Sequence, residues 1–240
     1  MSTCGIAERA NAPRSMRAVL TLLTFCLLTS SVQADPQDLT ATKEAVAIPA
    51  ELGDPIRALL QPDATVVMRG DNRLEFWWVK NLPLDTAPDG RPSWSNVADG
   101  ALVGAVKLTA AMTDARGLPM KPGVYTLRFA LQPQDGDHMG VSPHREFLLV
   151  APAAEDQAAA PAGFKGAVAL AKKTLGKSHP ATLSLTPTTE EPAGAILTTD
   201  EGHKAMAVSV PATHQDKPAG ALAFAVTLVG QYEHLSLIHI

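Results

Sequence analysis

Two carboxylates and an imidazole stand close together at Asp135, Asp137 and His138, on a loop punctuated by Gly136 and Gly140, with Ser142 and His144 a few positions on. Carboxylate and carbonyl oxygens hold hard cations, whereas imidazole suits zinc or copper, so Asp135, Asp137, His138 and His144 make a candidate set for a divalent metal of either class. The spacing matches no strong signature: neither a calcium-binding Asp-x-Asp-x-Asp-Gly run nor His-Glu-x-x-His occurs. The plainer reading is a hairpin loop whose Asp side chains bond the local backbone while its glycines take positive φ. Met139 beside His138 adds a thioether that would suit copper, but Met68, Met112, Met120 and Met206 are scattered in the way of gap-filling core residues.

Nucleophilic chemistry has less to stand on. His138, His144, His179, His203 and His214 are available as bases, yet no Gly-x-Ser-x-Gly elbow or Gly-rich phosphate loop accompanies them, and no residue is assigned a catalytic role. Aromatic recognition offers more. Trp77, Trp94 and Tyr125 could present a platform for a sugar ring, which needs a flat apolar face bordered by hydrogen-bonding groups. Trp77 shares a strand face with Arg73 and Glu75 and is expected to be exposed, which makes Trp77 and Arg73 ligand-binding candidates; packing under a loop or helix is the competing account. Trp94 joins them because it sits in the polar loop Arg91-Pro92-Ser93-Trp94-Ser95-Asn96.

The elements that would position these groups are mostly strands. Leu74, Phe76 and Trp78 alternate with Arg73, Glu75 and Trp77; Tyr125, Leu127, Phe129 and Leu131 alternate in the same way, as do Leu102, Val106 and Leu108, and Phe147 with Leu149. Proline-containing connections at 81–93, 117–123 and 132–143 separate the runs, and further strand patterns cover 181–186, 195–199, 204–210 and 221–229. Asp54-Pro55 starts a short helix ending near Leu60. Phe164, Val168, Ala171 and Leu175 recur at helical spacing before Gly176 and His179-Pro180, which predicts a second helix. The expected fold is mainly β, an antiparallel β-sandwich with one or two short helices: residues 51–150 begin it and 164–234 complete it, with the second helix over an open end or edge. Residues 151–163 read as a linker-like loop, with two lobes hinged there as the alternative, and 35–50 as a mobile N-terminus.

Arg14 and Arg17 precede an apolar run from Ala18 to Leu28, and Val32-Gln33-Ala34 supplies small residues before a cut. This is the pattern of a signal peptide over 1–34, with the mature chain starting at Asp35 in the periplasm or outside the cell. The apolar run falls short of the ~20 residues a bilayer core needs, so the processed chain is not expected to be integral to a membrane. Cleavage removes Cys4 and Cys26, leaving neither disulfides nor thiolate ligands. It also leaves 17 Lys or Arg against 23 Asp or Glu, a net charge of -6, which disfavours nucleic acid as a partner. Residues 235–240 read as a non-native tail.

From Lys121 to Val150 the chain carries Pro-Gly-x-Tyr-Thr-Leu-Arg-Phe followed by Asp-Gly-Asp-His-Met-Gly. In this stretch of about 30 residues it resembles a group of uncharacterised exported bacterial β-rich proteins. The resemblance implies a secreted β-domain and brings no established activity with it. Strong strand patterning with weak catalytic motifs points to an exported, non-catalytic protein that binds a small molecule, glycan or envelope partner through loops 81–96 and 132–144. A periplasmic metal-binding protein using the 135–144 loop is the alternative, and a periplasmic hydrolase a more distant one.

Overall fold

Leu74, Phe76 and Trp78 leave one face of β3 (Asn72–Trp78), and Glu75 and Trp77 leave the other, because side chains alternate along a pleated strand. The computed structural model describes Met1 and residues 39–133, 143–188 and 192–231. The chain divides into Met1–Gln33 and Ala34–Ile240, and every element below belongs to the second unit.

Among the described residues β3 is the third strand of an eleven-stranded sheet. The order runs through β1 (Leu39–Glu44), β2 (Ala64–Arg69), β3, β5 (Leu102–Leu108), β8 (Gly123–Leu131), β9 (Glu146–Pro152), β10 (Thr182–Pro187), β13 (Lys217–Val229), β12 (Lys204–His214) and β11 (Ile196–Thr198). Each neighbouring pair along that path is antiparallel; the two-residue β4 (Leu82–Pro83) joins β12 in parallel. β6 (Met112–Thr113) and β7 (Pro119–Met120) form a separate ribbon. No described helix is long and apolar enough to cross a membrane.

β10 turns the corner. Its first half, Thr182–Ser184, pairs with β9, and its second half, Leu185–Pro187, pairs with β13. The sheet therefore curls until its ends, β1 and β11, approach each other. Leu127 and Phe129 from one half and Phe224 and Val226 from the other are fully buried in a shared core. Trp78 meets Phe224 edge-on with ring centroids 5.7 Å apart, a geometry worth about 0.5–1.5 kcal/mol beyond area burial. The expectation of a mainly β, antiparallel protein with one or two short helices holds; the main strands form one curled sheet in place of the separate sheets of the expected sandwich.

Two placements differ from expectation. Residues 39–44, read as part of a mobile N-terminus, are β1, paired with β2 along its whole length. The second helix, α2 (Gly163–Leu175), covers neither an end nor an edge. It ends at left-handed Gly176 (φ 60°) as the sequence indicates, but its Ala167 and Ala171 lie against Ala130 and Leu149 on the face of β8 and β9 that points away from the shared core. α1 (Asp54–Leu59) buries Ile56.

That outer face carries a guanidinium with all five donors engaged. Arg128 Nε and Nη2 bind the two carboxylate oxygens of Asp156 at 2.6 and 2.7 Å. Nη1 donates to the carbonyls of Gly100 and Ala160 at 2.8 and 3.1 Å, and Nη2 also donates to Ala158 O. Thr126 Oγ1 donates to Asp156 as well. The stretch 151–163, poor in large apolar groups, is thus fastened to β8 by polar bonds under near-complete burial.

Arg73, a ligand-binding candidate from the sequence, is engaged in a structural tether. Its Nη2 binds Glu44 of β1 and its Nε binds Glu75, each at 2.7 Å. These bonds raise the affinity of Arg73 for its proton, and Arg73 holds the Glu44 carboxyl below the usual carboxylate range, with Thr42 assisting.

Two outcomes are expected. Removing Arg128 leaves the buried Asp156 carboxylate with the Thr126 hydroxyl alone and takes a donor from three carbonyls, of which Gly100 keeps Ala162 N, whereas Asp156→Asn leaves the guanidinium buried without its counter-charge; urea unfolding should show Arg128→Met and Asp156→Asn each losing about 3–5 kcal/mol. Because Glu44 is depressed in the fold, its contribution is present above the unfolded carboxylate value near 4.3 and fades as pH falls through the lower folded value. Hydrogen-exchange protection of β1 amides should drop over that acid range, and Arg73→Ala should remove the pH dependence.

Candidate functional site

β10 stops at Pro187, opposite Phe224, while β13 continues back to Lys217. One flank of β13 is therefore left without a β10 partner over 217–223, and residues 90–95 stand beside it. Between them lies a cleft of about 670 Å³. Arg91, Ser93 and Ser95 line one side, Ala219 to Ala223 with Ser209 line another, and Glu146 and Thr188 close it.

The loop is held in a defined shape. Asn96 Oδ1 accepts from Ser93 N at 3.0 Å, Asn96 Nδ2 donates to Thr86 Oγ1 at 3.1 Å, and Asp85 N donates to Asn96 O at 2.7 Å. Pro92 lies so close to Gly220 that a Cβ there would stand 3.3 Å from its Cδ, and Gly220 has φ 102°, so glycine is required at this contact.

Trp94 anchors the loop. The sequence places it in a polar loop as an exposed aromatic; instead its ring fills the gap between the halves of the sheet, stacked on Phe129 at 4.5 Å and tilted against Phe224 at 4.9 Å. It is only 6% exposed, lines the cleft, and its Nε1 has no hydrogen-bond partner among the described residues.

Trp77 is also corrected. Its strand face was expected to be open, but Trp77 is fully buried and its Nε1 donates to Val46 O at 3.2 Å, because the segment after β1 lies over that face. Tyr125 is buried too, with its hydroxyl bonded to Lys121 O at 2.7 Å across the Pro-Gly turn and its phenol pushed up by burial. A sugar platform needs an open ring face, and Trp77, Trp94 and Tyr125 do not provide one together.

His144 lies at a second polar cleft, of about 330 Å³, which shares Pro187 and Thr188 with the first. Thr199, Asp200 and Glu201 line its far side. The Glu201 carboxyl is held below its ordinary value, mainly by the Thr199 hydroxyl and next by its own backbone N–H, with smaller electrostatic contributions from the neighbouring His144 and His203. Asp135, Asp137 and His138 lie outside the described residues. Among the described ones, no group of three or more His, Cys, Asp or Glu side chains is placed to hold a metal.

The two clefts thus bring together the 90–95 loop and His144, from segments 81–96 and 132–144. Sequence reasoning missed Glu146, Thr188, Ser209 and the open flank of β13, none of which carries a local motif. Pro187 was the available signal, since proline cannot extend a ladder through its nitrogen. No family model matches the chain, and comparison with curated proteins and with solved structures likewise yields no match.

Proposed function

We propose that the chain is an exported, non-catalytic binding protein that takes a small hydroxylated ligand, such as a short glycan, in the joined polar clefts. The cleft beside Trp94 carries this reading: Arg91, Glu146 and the hydroxyl residues Ser93, Ser95, Thr188 and Ser209 line it together with alanine, glycine and proline. Such a lining bonds ring hydroxyls from above while alanine and proline surfaces take the carbon face. The loop is fixed before a ligand arrives, which keeps the ordering cost of binding low.

Export rests on Arg14, Arg17, the apolar run to Leu28 and Val32-Gln33-Ala34. Cleavage ahead of Asp35 would leave β1, which starts at Leu39, intact. Expression in a Gram-negative host followed by N-terminal sequencing of the periplasmic fraction should find Asp35 first; an unprocessed cytoplasmic chain would remove this part of the reading.

For the ligand, the full processed chain should be screened on a glycan array and hits mapped by amide chemical shifts. Shifts confined to 90–95, 144–146 and 219–223 are expected, with Arg91→Ala and Glu146→Gln each weakening binding about tenfold, as for the loss of one charged hydrogen bond. Binding that ignores both variants would place the ligand elsewhere.

A further inference from the structure

On the far side of β8 and β9 the chemistry reverses. Ala167 and Ala171 bring α2 close to the sheet, but the neighbouring helical stripe, Phe164 and Val168, is only half-buried. Under it lies a cavity of about 120 Å³ floored by Phe147 and Leu149 and closed at one end by Pro180 and Arg116. This site is separate from the polar clefts. Glu146 and Phe147 are neighbours on β9, one lining the polar cleft and the other the apolar cavity.

Arg116 is the anomaly in this lining. Its side chain is 8% exposed, its Nη2 donates to Pro180 O, and Nε is buried with no hydrogen-bond partner among the described residues. Asp114 provides weak company: Arg116 Nη2 is 3.5 Å from Asp114 Oδ2, which accepts no hydrogen bond from the described residues, while Oδ1 is occupied by the backbone N–H groups of Arg116 and Leu118. A guanidinium does not lose its proton, so a buried N–H of this kind is costly until an acceptor arrives. Water offers an acceptor but gains nothing from Phe164, Val168, Phe147 and Leu149. An amphiphile with one acceptor head satisfies both surfaces.

We propose that the α2 cavity binds a small monocarboxylate whose apolar body, an aromatic ring or short acyl chain, lies against Phe147, Leu149, Phe164 and Val168 while its carboxylate meets Arg116. At about 120 Å³ the cavity is somewhat smaller than the about 150 Å³ that holds a benzene ring, so part of the ring or chain fills it and the rest extends past the half-buried Phe164 and Val168. Carboxylate is favoured over a neutral acceptor because guanidinium–carboxylate bonds are about twice as strong as neutral ones.

The test uses the full processed chain with benzoate, octanoate and their amides as probes, read by calorimetry and by amide shifts along α2 and β9. Either acid is expected to bind, about tenfold tighter than its amide. Val168→Phe fills the cavity from a half-exposed helix position and should abolish binding with the melting temperature little changed. Arg116→Met should keep apolar binding but lose the preference for acid over amide. No binding at millimolar concentration, binding that persists in Val168→Phe, or equal affinity for acid and amide would each overturn the proposal. Should Arg116→Met fail to fold, the Val168→Phe and acid-versus-amide comparisons still decide.

Discussion

The Arg128–Asp156 pair is the constraint on which the arrangement of the outer face depends. Taking both charges out of water carries a penalty of several kcal/mol per ion, recovered only if the geometry is good and the remaining donors and acceptors are met. Here the two parallel bonds to Asp156, three carbonyl bonds and the Thr126 hydroxyl meet that condition. The carbonyls come from Gly100, Ala158 and Ala160, so one side chain fixes the loop before β5 and the whole approach to α2. Gly100 is itself in contact with that approach, its carbonyl accepting from Ala162 N at 3.1 Å. A Cβ at Gly100 would stand 2.5 Å from Gly163 N, which explains glycine at this crossing. The position of α2, and with it the cavity beneath Phe164 and Val168, therefore follows from a buried polar network, with apolar area secondary.

The inner face obeys a different rule. β10 pairs with β9 for half its length and with β13 for the other half, so the sheet must bend there, and the bend opens a gap that the ladder alone cannot close. Trp94 closes it by stacking on Phe129 from one half and Phe224 from the other. A residue that plugs a core from a loop also fixes the loop. The cleft between residues 90–95 and β13 exists because the strand that would have paired with 217–223 ends at Pro187 and the loop that takes its place is anchored from beneath.

Much of this was legible in the sequence, and the parts that were not share a cause. Strand and helix positions followed from periodicity because each run has one face on the core: Phe76 and Trp78 in β3, Leu127 and Phe129 in β8, Phe224 and Val226 in β13. Periodicity says which side chains share a face, yet not whether the second face meets water or another segment. Trp77 and Thr126 stand on second faces that are covered, and both are fully buried. Arg128 within Tyr-Thr-Leu-Arg-Phe was the available signal, since a charge mid-strand with apolar neighbours needs a partner when its face is covered. The Trp94 loop misled because its neighbours are polar while its own ring points inward. The sequence pattern ends β12 at Val210 and starts β13 at Ala221, short of Pro211 and Pro218. They run through both prolines to a tight turn where Gln215 and Asp216 take φ 50° and 60°, a local geometry that outweighs the missing N–H groups.

The same alternation that made the fold readable also separates a polar and an apolar lining by a single residue step. β9 lends Glu146 to the polar cleft at the end of the sheet and Phe147 to the cavity under α2. A one-residue slip of β9 would exchange them, placing a carboxylate under the helix and a phenyl ring in the cleft. What prevents the slip is the register of seven cross-strand partners from Tyr125↔Pro152 to Leu131↔Glu146, reinforced where Thr174 of α2 donates to Val150 O at 2.6 Å. Arg128 pairs with Leu149 in that register while its guanidinium holds Asp156 further along the same chain. Register, helix position and the chemical character of each face are consequently one property of this sheet, and a substitution that loosens the Arg128 network should alter both the polar cleft and the cavity under α2 before it unfolds the core.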